Sequence, residues 1–450
     1  MLQLARILAY RQRLRRRERW TRARLEAHQA QELTALRAFA MTRSPFYRDF
    51  HRGLEHAPLS ELPILTKATL MQRFDEIMTD SVLRLSDLQR YLETLQDDEL
   101  FAGRYWVSAT SGSSGLRSIV PSDRREWATI VASYARASEW GGIRISPFRR
   151  VRMAIVSSRS PFHQSARVGR TVQSTMVRTC RLDAAQPLPE IVAILNRFQP
   201  DALVAYASMV RILADEQLAG RLAVRPAIVN SSSEVLTPET RARVTRAWGV
   251  PPFEVYAATE TGGIAAECKR HRGLHLFEDL VIPEVVDADG GPVPTGTTGA
   301  RLLVTVLFSR SVPLIRYELT DRVRLTTWSC ECGRPFRLVA AIDGRMDDII
   351  ELPATGGGSV RVHPVVFHRA LDLVHRSGWQ VRQEQGGLRV LVTAPGPPFD
   401  AEALARAVRI AVRSAGAADV AVSVEVVPEI PAGAAGKRPL VVARRHEAEG

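Results

Sequence analysis

The sequence predicts an α/β protein: a large N-terminal domain of parallel sheets flanked by helices, with a β-rich subdomain, then a small α+β C-terminal domain. Three observations predict it. Between residues 151 and 258 short apolar runs alternate with helical patterns, and strand–helix–strand repetition builds a parallel sheet with helices on its faces. Beyond residue 276 the helical period disappears and strand-like runs follow one another. After Asp343-Gly344-Arg345 roughly a hundred residues return to mixed helix and strand, enough for a separate small unit. At 450 residues the chain is longer than a usual single domain.

Residues 1–34 read as a basic helical segment. Its first 24 residues carry nine arginines against one acid, Glu18, so most of the net charge of +13 sits there and the rest of the chain holds only +5. Leu4, Ile7, Leu8, Leu14 and Trp20 give the segment an amphipathic helical character. It is suited to packing, and also to weak contact with an anionic membrane surface, RNA or a partner. The body is only mildly basic, so nucleic acid is not its expected substrate. Lysine is scarce (Lys67, Lys269 and Lys437), which draws attention to each one.

The large domain is expected over 35–342, its β-rich part from about 276. Residues up to 100 are mostly helical, with turn signals at Ser44-Pro45 and Ala57-Pro58. Trp106-Val107 and Ile119-Val120 read as strands. Asp123 and Glu126 have capping-box spacing ahead of a helix over about 123–139. The runs Met153–Val156, Ala202–Ala205, Ala227–Val229 and Phe253–Ala257 are strands, separated by helices at 188–198, 209–219 and 238–248. Thr237 before Pro238 supplies the cap and first turn of the last. Val281–Val286, Arg301–Phe308, Leu314–Tyr317 and Arg322–Thr326 are the later strands. A junction at 343–348 leads to the small domain, 349–450, with helices at 365–375 and 401–414, a strand pair around Gln385-Gly386-Gly387 and a strand at 420–427.

No window holds the roughly 18 consecutive apolar residues of a membrane span. The basic N-terminus lacks the apolar run and cleavage site of a secretory signal. Four cysteines in so long a chain do not make a disulfide framework, so a reducing, cytoplasmic setting is expected.

Polar segments at strand ends are where open α/β sheets keep their ligands. Ser108-Ala109-Thr110-Ser111-Gly112-Ser113-Ser114-Gly115 is either a flexible turn or a cradle whose backbone N–H groups and hydroxyls wrap an anion. It lacks the lysine and following helix of a Walker loop. Further along come Asn230–Glu234, Tyr256–Gly263, Arg316–Asp321, Asp343–Asp348 and Gly436-Lys437-Arg438. Separately, Cys268, His275, Cys330 and Cys332 form C-x6-H followed by C-x-C in loops. Three thiolates and an imidazole suit a closed tetrahedral structural Zn²⁺ site, with His271 as a substitute ligand; the alternative is reduced thiols packed as small apolar groups. Cys180 is expected to be buried and inert.

The ordered set resembles the adenylate-forming superfamily, above all its phenylacetate–CoA ligase branch. Thr110–Gly115 is similar to that family's phosphate loop, Tyr256–Gly263 to Y-x-x-T-E-x-G-G, Arg316–Asp321 to R-Y-x-x-x-D, and Gly344–Asp348 to G-R-x-D-D. Leu62–Lys67 resembles the branch's leader segment. The likeness spans roughly residues 35–440, judged by motif order. It implies attack of a carboxylate on the α-phosphate of ATP, release of pyrophosphate, and displacement of AMP by the thiol of coenzyme A. It implies that Ser111, Gly112, Ser113, Ser114 and Gly115 hold the phosphates, that Glu260 binds Mg²⁺, and that Thr259 bonds the α-phosphate. Ser233 and Glu234 would line the adenine pocket, with Tyr256 stacked on the base. Asp321 would hold the ribose and Arg345 the ribose or phosphate. Lys437 would bridge carboxylate and α-phosphate. The small domain would be mobile, pivoting at Asp347. Trp140, Tyr206 and Ser208 are the expected acid pocket. Some relatives carry a zinc knot around E-C and G-L-H, here Glu267-Cys268 and Gly273-Leu274-His275.

The chain departs from the family pattern in several places. Leu116-Arg117 replaces Lys-Pro after the loop, and Thr320 stands for the glycine before the ribose aspartate. Residues 356–364 replace R-G-x-N-V-x-P, and 157–170 are polar where phenylacetate would need apolar lining. A carboxylate–CoA ligase is therefore expected. The alternatives are an adenylate former with a carrier-protein, amine or hydroxyl acceptor, and a non-catalytic binding protein with an RNA- or membrane-contacting N-terminus. Which acid is used and the oligomeric state, a homodimer included, stay open.

Overall fold

The computed structural model describes residues 2–110, 118–143, 150–172, 177–184, 186–345, 349–362, 364–371, 378–393, 399–431 and 439–444. Two long helices open the chain, α1 (Leu2–Arg17) and α2 (Arg22–Arg43). Four short ones follow: α3 (Pro45–Phe50), α4 (Lys67–Gln72), α5 (Phe74–Ile77) and α6 (Leu85–Thr94). Ser44 ends α2 and also caps α3 through its hydroxyl, so the expected Ser44-Pro45 turn is a sharp helix-to-helix corner. Residue 34, the expected edge of the basic segment, falls inside α2, which continues without a break.

The N-terminal helices are locked down. Ile7, Arg11 and Leu14 are buried where α1 lies on α7 (Arg124–Trp140). Arg136 of α7 makes a buried bidentate pair with Asp279, both contacts 2.7 Å, and Arg17 reaches the same carboxylate at 3.7 Å. Glu278 takes Arg22 and Arg337, each at 2.8 Å. Arginines that read as a charged surface segment are in part the counter-ions of two buried acids. Leu4 and Leu8 remain exposed.

β1 (Trp106–Ala109) and β2 (Ile119–Ser122) form an antiparallel pair, and α7 follows under the expected capping box of Asp123 and Glu126. The main sheet has nine strands. Its parallel half is built from β3 (Val151–Ser157), β4 (Val177–Asp183), β5 (Ala202–Tyr206), β6 (Ile228–Ser232) and β7 (Phe253–Ala258). The intervening helices are α8 (Gln164–Thr171), α9 (Leu188–Phe198), α10 (Ala207–Leu218) and α11 (Pro238–Trp248), the last capped by Thr237 and ended by Gly249 at φ +72°. The antiparallel half adds β8 (Gly262–Glu267), β9 (Leu274–Leu276), β13 (Asp321–Leu325) and β14 (Leu338–Arg345), in the overall order β13-β14-β9-β8-β7-β6-β5-β3-β4. β10 (Val281–Val286), β11 (Arg301–Val306) and β12 (Tyr317–Leu319) make a separate antiparallel sheet. The sequence reading did not include β4, β8, β9, β14 or α8, nor the strands at 350–353, 359–362 and 441–442.

After β14 come the hairpin β15 (Ile350–Pro353) with β16 (Ser359–Val362), helix α12 (Pro364–Leu371), the hairpin β17 (Trp379–Glu384) with β18 (Gly387–Thr393), helix α13 (Ala401–Ser414), β19 (Ala421–Val427) and β20 (Val441–Val442). The last sheet runs β19-β18-β17-β20. It holds its own apolar core around Phe367, Trp379, Val390 and Val408. β14 extends through 343–345, the first half of the expected junction.

Two features of this topology prepare a site. β3 lies between β4 and β5, so the chain turns to opposite sides after β3, leaving a crevice at the C-terminal ends of β3 and β5. β7 is the last parallel strand, and its C-terminal end turns back into antiparallel β8.

Candidate active site and candidate metal centre

The turn between β7 and β8 carries Thr259 and Glu260. Its two glycines have packing reasons. Gly262 sits at φ +70° against Ile130, and a Cβ on Gly263 would lie 2.9 Å from both Ser133 Oγ and Phe277. Gly263 N donates instead to Ser133 Oγ at 3.1 Å, so α7 lies directly on the strand that leaves the turn. On the other side Gln164 Nε2 donates to the Thr259 carbonyl at 2.8 Å, and Tyr134 Oη donates to Gln164 Oε1 at 2.8 Å. The backbone of Thr259 is thus braced from α7 and α8 together.

Glu260 accepts a 3.0 Å hydrogen bond on Oε1 from Tyr317 Oη. Burial, then the Glu260 charge, holds the Tyr317 phenol well above its usual range, so it stays a donor. Tyr256, four residues before Glu260, donates through Oη to Asp321 Oδ2 at 2.7 Å. Asp321 opens β13 and pairs in register with Arg345 at the end of β14. Tyr256 of β7 and Asp321 of β13, far apart in sequence, therefore meet, with Arg345 as the backbone partner of Asp321.

The ends of the Gly/Ser loop are described although Ser111–Gly115 themselves lie outside the described residues. Thr110 N donates to Ser118 O at 3.0 Å, and Ser118 N to Thr110 Oγ1 at 2.9 Å, closing the loop at its neck. β1 is held from behind: Ala109 N donates to Phe162 O at 2.9 Å and buried Arg167 to Val107 O at 2.8 Å. α8, with the two residues before it, ties this strand to the Thr259 turn. Asp347 and Lys437 also lie outside the described residues.

Ser233 has φ +68°, a left-handed conformation that a serine rarely adopts. It directs Glu234 to the start of α10, where Oε2 accepts from Ser208 N at 2.8 Å. The carboxylate thereby serves an N–H at the positive end of a helix. Tyr206 spans the crevice between β5 and β3, its hydroxyl accepting from Ser158 N at 2.9 Å. Burial pushes its phenol up to about 12.

Trp140 is corrected. Its indole is buried against His275, Phe277 and Phe336, with the Arg334 guanidinium 4.3 Å from the ring centre and Nε1 donating to Glu18. Packing and a hydrogen bond occupy the side chain, so it is a core residue beside the cysteine cluster and not part of an acid pocket with Tyr206 and Ser208.

That cluster is the second site. The ligand atoms of Cys268, His275, Cys330 and Cys332 lie within 4.8 Å of one another. Cys268 Sγ to Cys330 Sγ is 3.8 Å, and Cys332 Sγ to His275 Nε2 is 3.3 Å. A tetrahedron with metal–ligand bonds of about 2.0–2.3 Å has edges of roughly 3.3–3.8 Å, so the donor set fits a zinc ion. All four cysteines are free thiols. Burial lowers the His275 imidazole to about 4, leaving it neutral as a ligand must be, and pushes the Cys268 thiol up to about 12. Burial also raises Cys332, but hydrogen bonds from Arg334 outweigh it and the net direction is down. His271 is turned toward Glu267, its Nδ1 3.2 Å from that carboxylate, and is not among the four.

Tyr317, Gln164 and Ser133 are absent from the sequence-derived site. Tyr317 lay inside a quoted motif; nothing in the local pattern marked Gln164 or Ser133, whose partners are 95 and 130 residues away.

No family model matches the chain. Among curated proteins it is 27% identical over 357 residues to the phenylacetate–coenzyme A ligase of Thermus thermophilus, covering 73% of this chain and 72% of that one. The phenylacetate–coenzyme A ligase of Escherichia coli is 27% identical over 310 residues, with 62% and 67% covered. Among solved structures, 2-hydroxyisobutyryl-CoA ligase in the postadenylation state superposes with a TM-score of 0.73 at 20% identity, over 96% of this chain and 92% of that one. With the motifs in family order and the fold shared along nearly the whole chain, the protein is similar to the phenylacetate–CoA ligase-like branch of the adenylate-forming superfamily.

Proposed function

We propose that this protein activates a carboxylic acid with ATP to an acyl-adenylate and then passes the acyl group to coenzyme A. The observation that carries the reading is the convergence, at the ends of the parallel strands, of the Tyr256–Asp321 pair, the Thr259-Glu260 turn and the closed neck of the Gly/Ser loop. A substrate carboxylate oxygen attacks the α-phosphorus, the bond to the bridging oxygen breaks, and pyrophosphate leaves. Asp321, oriented by Tyr256, accepts from the ribose hydroxyls. Thr259 bonds the α-phosphate. The loop Ser111–Gly115 offers N–H groups and hydroxyls to the leaving phosphates, with Lys437 and Arg345 supplying positive charge. Glu260 is a hard oxygen ligand suited to Mg²⁺, which when bound neutralises phosphate charge. In the second half-reaction the thiol sulfur adds to the acyl carbon and AMP departs. Asp347 is the pivot for the domain movement between the two halves.

The acid binds at the crevice between β3 and β5, beside Tyr206 and Ser208. Buried Ser157 and Ser158 make that crevice more polar than phenylacetate requires. Cys268, His275, Cys330 and Cys332 hold a structural Zn²⁺, a reading supported by their spacing. No helix among the described residues is long and apolar enough to cross a membrane.

The test is carboxylate-dependent ATP–pyrophosphate exchange over aryl, acyl and amino acids. Exchange with at least one acid, lost in Lys437→Ala, is expected; no exchange with any acid, and ATP turnover unchanged in Lys437→Ala, refutes adenylation. A second reading, an acceptor other than coenzyme A, is favoured by the altered segment 356–364. Product analysis with and without coenzyme A separates the two.

A further inference from the structure

Tyr317 stands where three segments of the proposed site meet. Its ring is 1% exposed on β12, directly after Arg316 at φ +50°. Leu65 N donates to Arg316 O at 3.1 Å and Glu318 N to Leu65 O at 2.9 Å, so the 62–67 leader is bonded to the strand on both sides of the tyrosine. The hydroxyl donates to Glu260 Oε1 at 3.0 Å, and the buried Ser118 hydroxyl at the neck of the Gly/Ser loop neighbours it.

We propose that Tyr317 is a positioning residue that fixes the Glu260 carboxylate for a nucleotide-bound divalent cation and holds it in register with the neck of the Gly/Ser loop. The inference rests on the adenylation reading. A glutamate on a hairpin turn has several accessible rotamers, and ordering it on ligand binding costs affinity. The Tyr317 hydroxyl occupies one carboxylate oxygen, Oε1, and leaves the second for the cation. Because Tyr317 also adjoins Ser118, the carboxylate and the loop exit are referred to one rigid ring. The leader at 62–67 acquires a purpose as the backbone clamp of that ring.

The experiment measures binding directly, by calorimetry on the full chain, for ATP with Mg²⁺, ATP with chelator, and AMP with chelator. In the wild type Mg²⁺ tightens ATP binding. In Tyr317→Phe that Mg²⁺-dependent tightening falls by about tenfold, the scale of one hydrogen bond to a charged group, while AMP binding in chelator is unchanged. A tyrosine of purely structural importance would instead weaken AMP and ATP alike. Wild-type tightening retained in Tyr317→Phe overturns the proposal. If Tyr317→Phe does not fold, the wild type serves: the Tyr317 Cζ carbon-13 resonance moves when Mg²⁺ is added to the ATP-bound protein, and a static resonance overturns the proposal. Failure of the adenylation reading looks different, because the wild type then shows no ATP binding and no exchange.

Discussion

Replacing Cys330 with serine tests the metal centre more sharply than it tests packing, because Cys330 is half-buried and loses only one sulfur. The magnitude follows from what the cluster joins. Cys268 and Cys330 are 62 residues apart in the chain, and a cross-link closing a loop of that length removes about 4 kcal/mol of unfolded-state entropy. Spread over the unfolding of a unit of several hundred residues, this lowers the melting temperature by roughly 5 °C. The enthalpy of the ligand bonds adds to it, so the figure is a lower estimate. Chelator-washed wild-type protein is expected to hold about one zinc per chain, the stoichiometry of a four-ligand structural site, and Cys330→Ser to hold little. Cys180→Ser is the control: Cys180 lies on β4, outside the cluster, and its loss should leave the zinc content unchanged. Mass spectrometry for metal and thermal unfolding read the two quantities. Less than about half an equivalent of zinc in the wild type would refute the site. So would a Cys330→Ser variant that melts with the wild type.

Further outcomes are expected elsewhere in the molecule. Tyr256→Phe removes the 2.7 Å bond to Asp321 and should weaken AMP binding about five- to tenfold, with little change in melting temperature. Gln164→Leu cuts the brace on the Thr259 carbonyl and strands the Tyr134 hydroxyl; kcat for exchange should fall about tenfold, more than KM changes. Arg136→Met leaves Asp279 as a buried charge and should destabilise by about 3–5 kcal/mol in chemical denaturation, the scale for breaking a buried pair. Glu254 gives a pH signature: burial, then the neighbouring Glu267 charge, raises its carboxyl to about 7. Its stabilising contribution is full below the unfolded value of 4.5 and is lost as pH rises through 7, so Glu254→Gln should gain on the wild type between pH 5 and pH 8, by about 3 kcal/mol at most. An unchanged wild-type-to-variant difference in melting temperature across that range refutes it.

What the sequence made legible were features whose physics is local. Thr237-Pro238, the Asp123 and Glu126 capping box and the Gln385-Gly386-Gly387 turn each depend on a few adjacent residues, and the elements begin or turn there. β8 was invisible for a complementary reason: Gly262–Glu267 is mostly Gly and Ala, residues of low strand propensity, and it pairs because α7 and β9 cover it closely. β4 carries Arg178, Thr179, Cys180 and Arg181 between Val177 and Leu182 and ends on Asp183, as a sheet-edge strand can, so no buried strand pattern announced it. The N-terminal arginines show the same limit in electrostatics. Their charge was plain, but their counter-ions, Glu278 and Asp279, lie more than 240 residues away by the Gln29–Glu278 separation alone, and only the folded chain shows them as pairs.

These ion pairs connect the N-terminus to the chemistry. α1 lies on α7 through Arg11, which bonds Glu18 and Glu139, while Arg136 fixes α7 to Asp279. At Trp140 the same helix touches His275 of the cysteine–histidine cluster. Earlier along it, Ser133 Oγ holds Gly263, three residues past Glu260. Because Gly263 has no Cβ, α7 can lie on β8 at a distance that a Cβ there would not allow. A change that loosens α1 or disrupts the cluster of Cys268, His275, Cys330 and Cys332 should therefore act on the Thr259-Glu260 turn through displacement of α7. In that case activity and stability fall together, in contrast to Tyr256→Phe, where nucleotide binding weakens and the melting temperature stays.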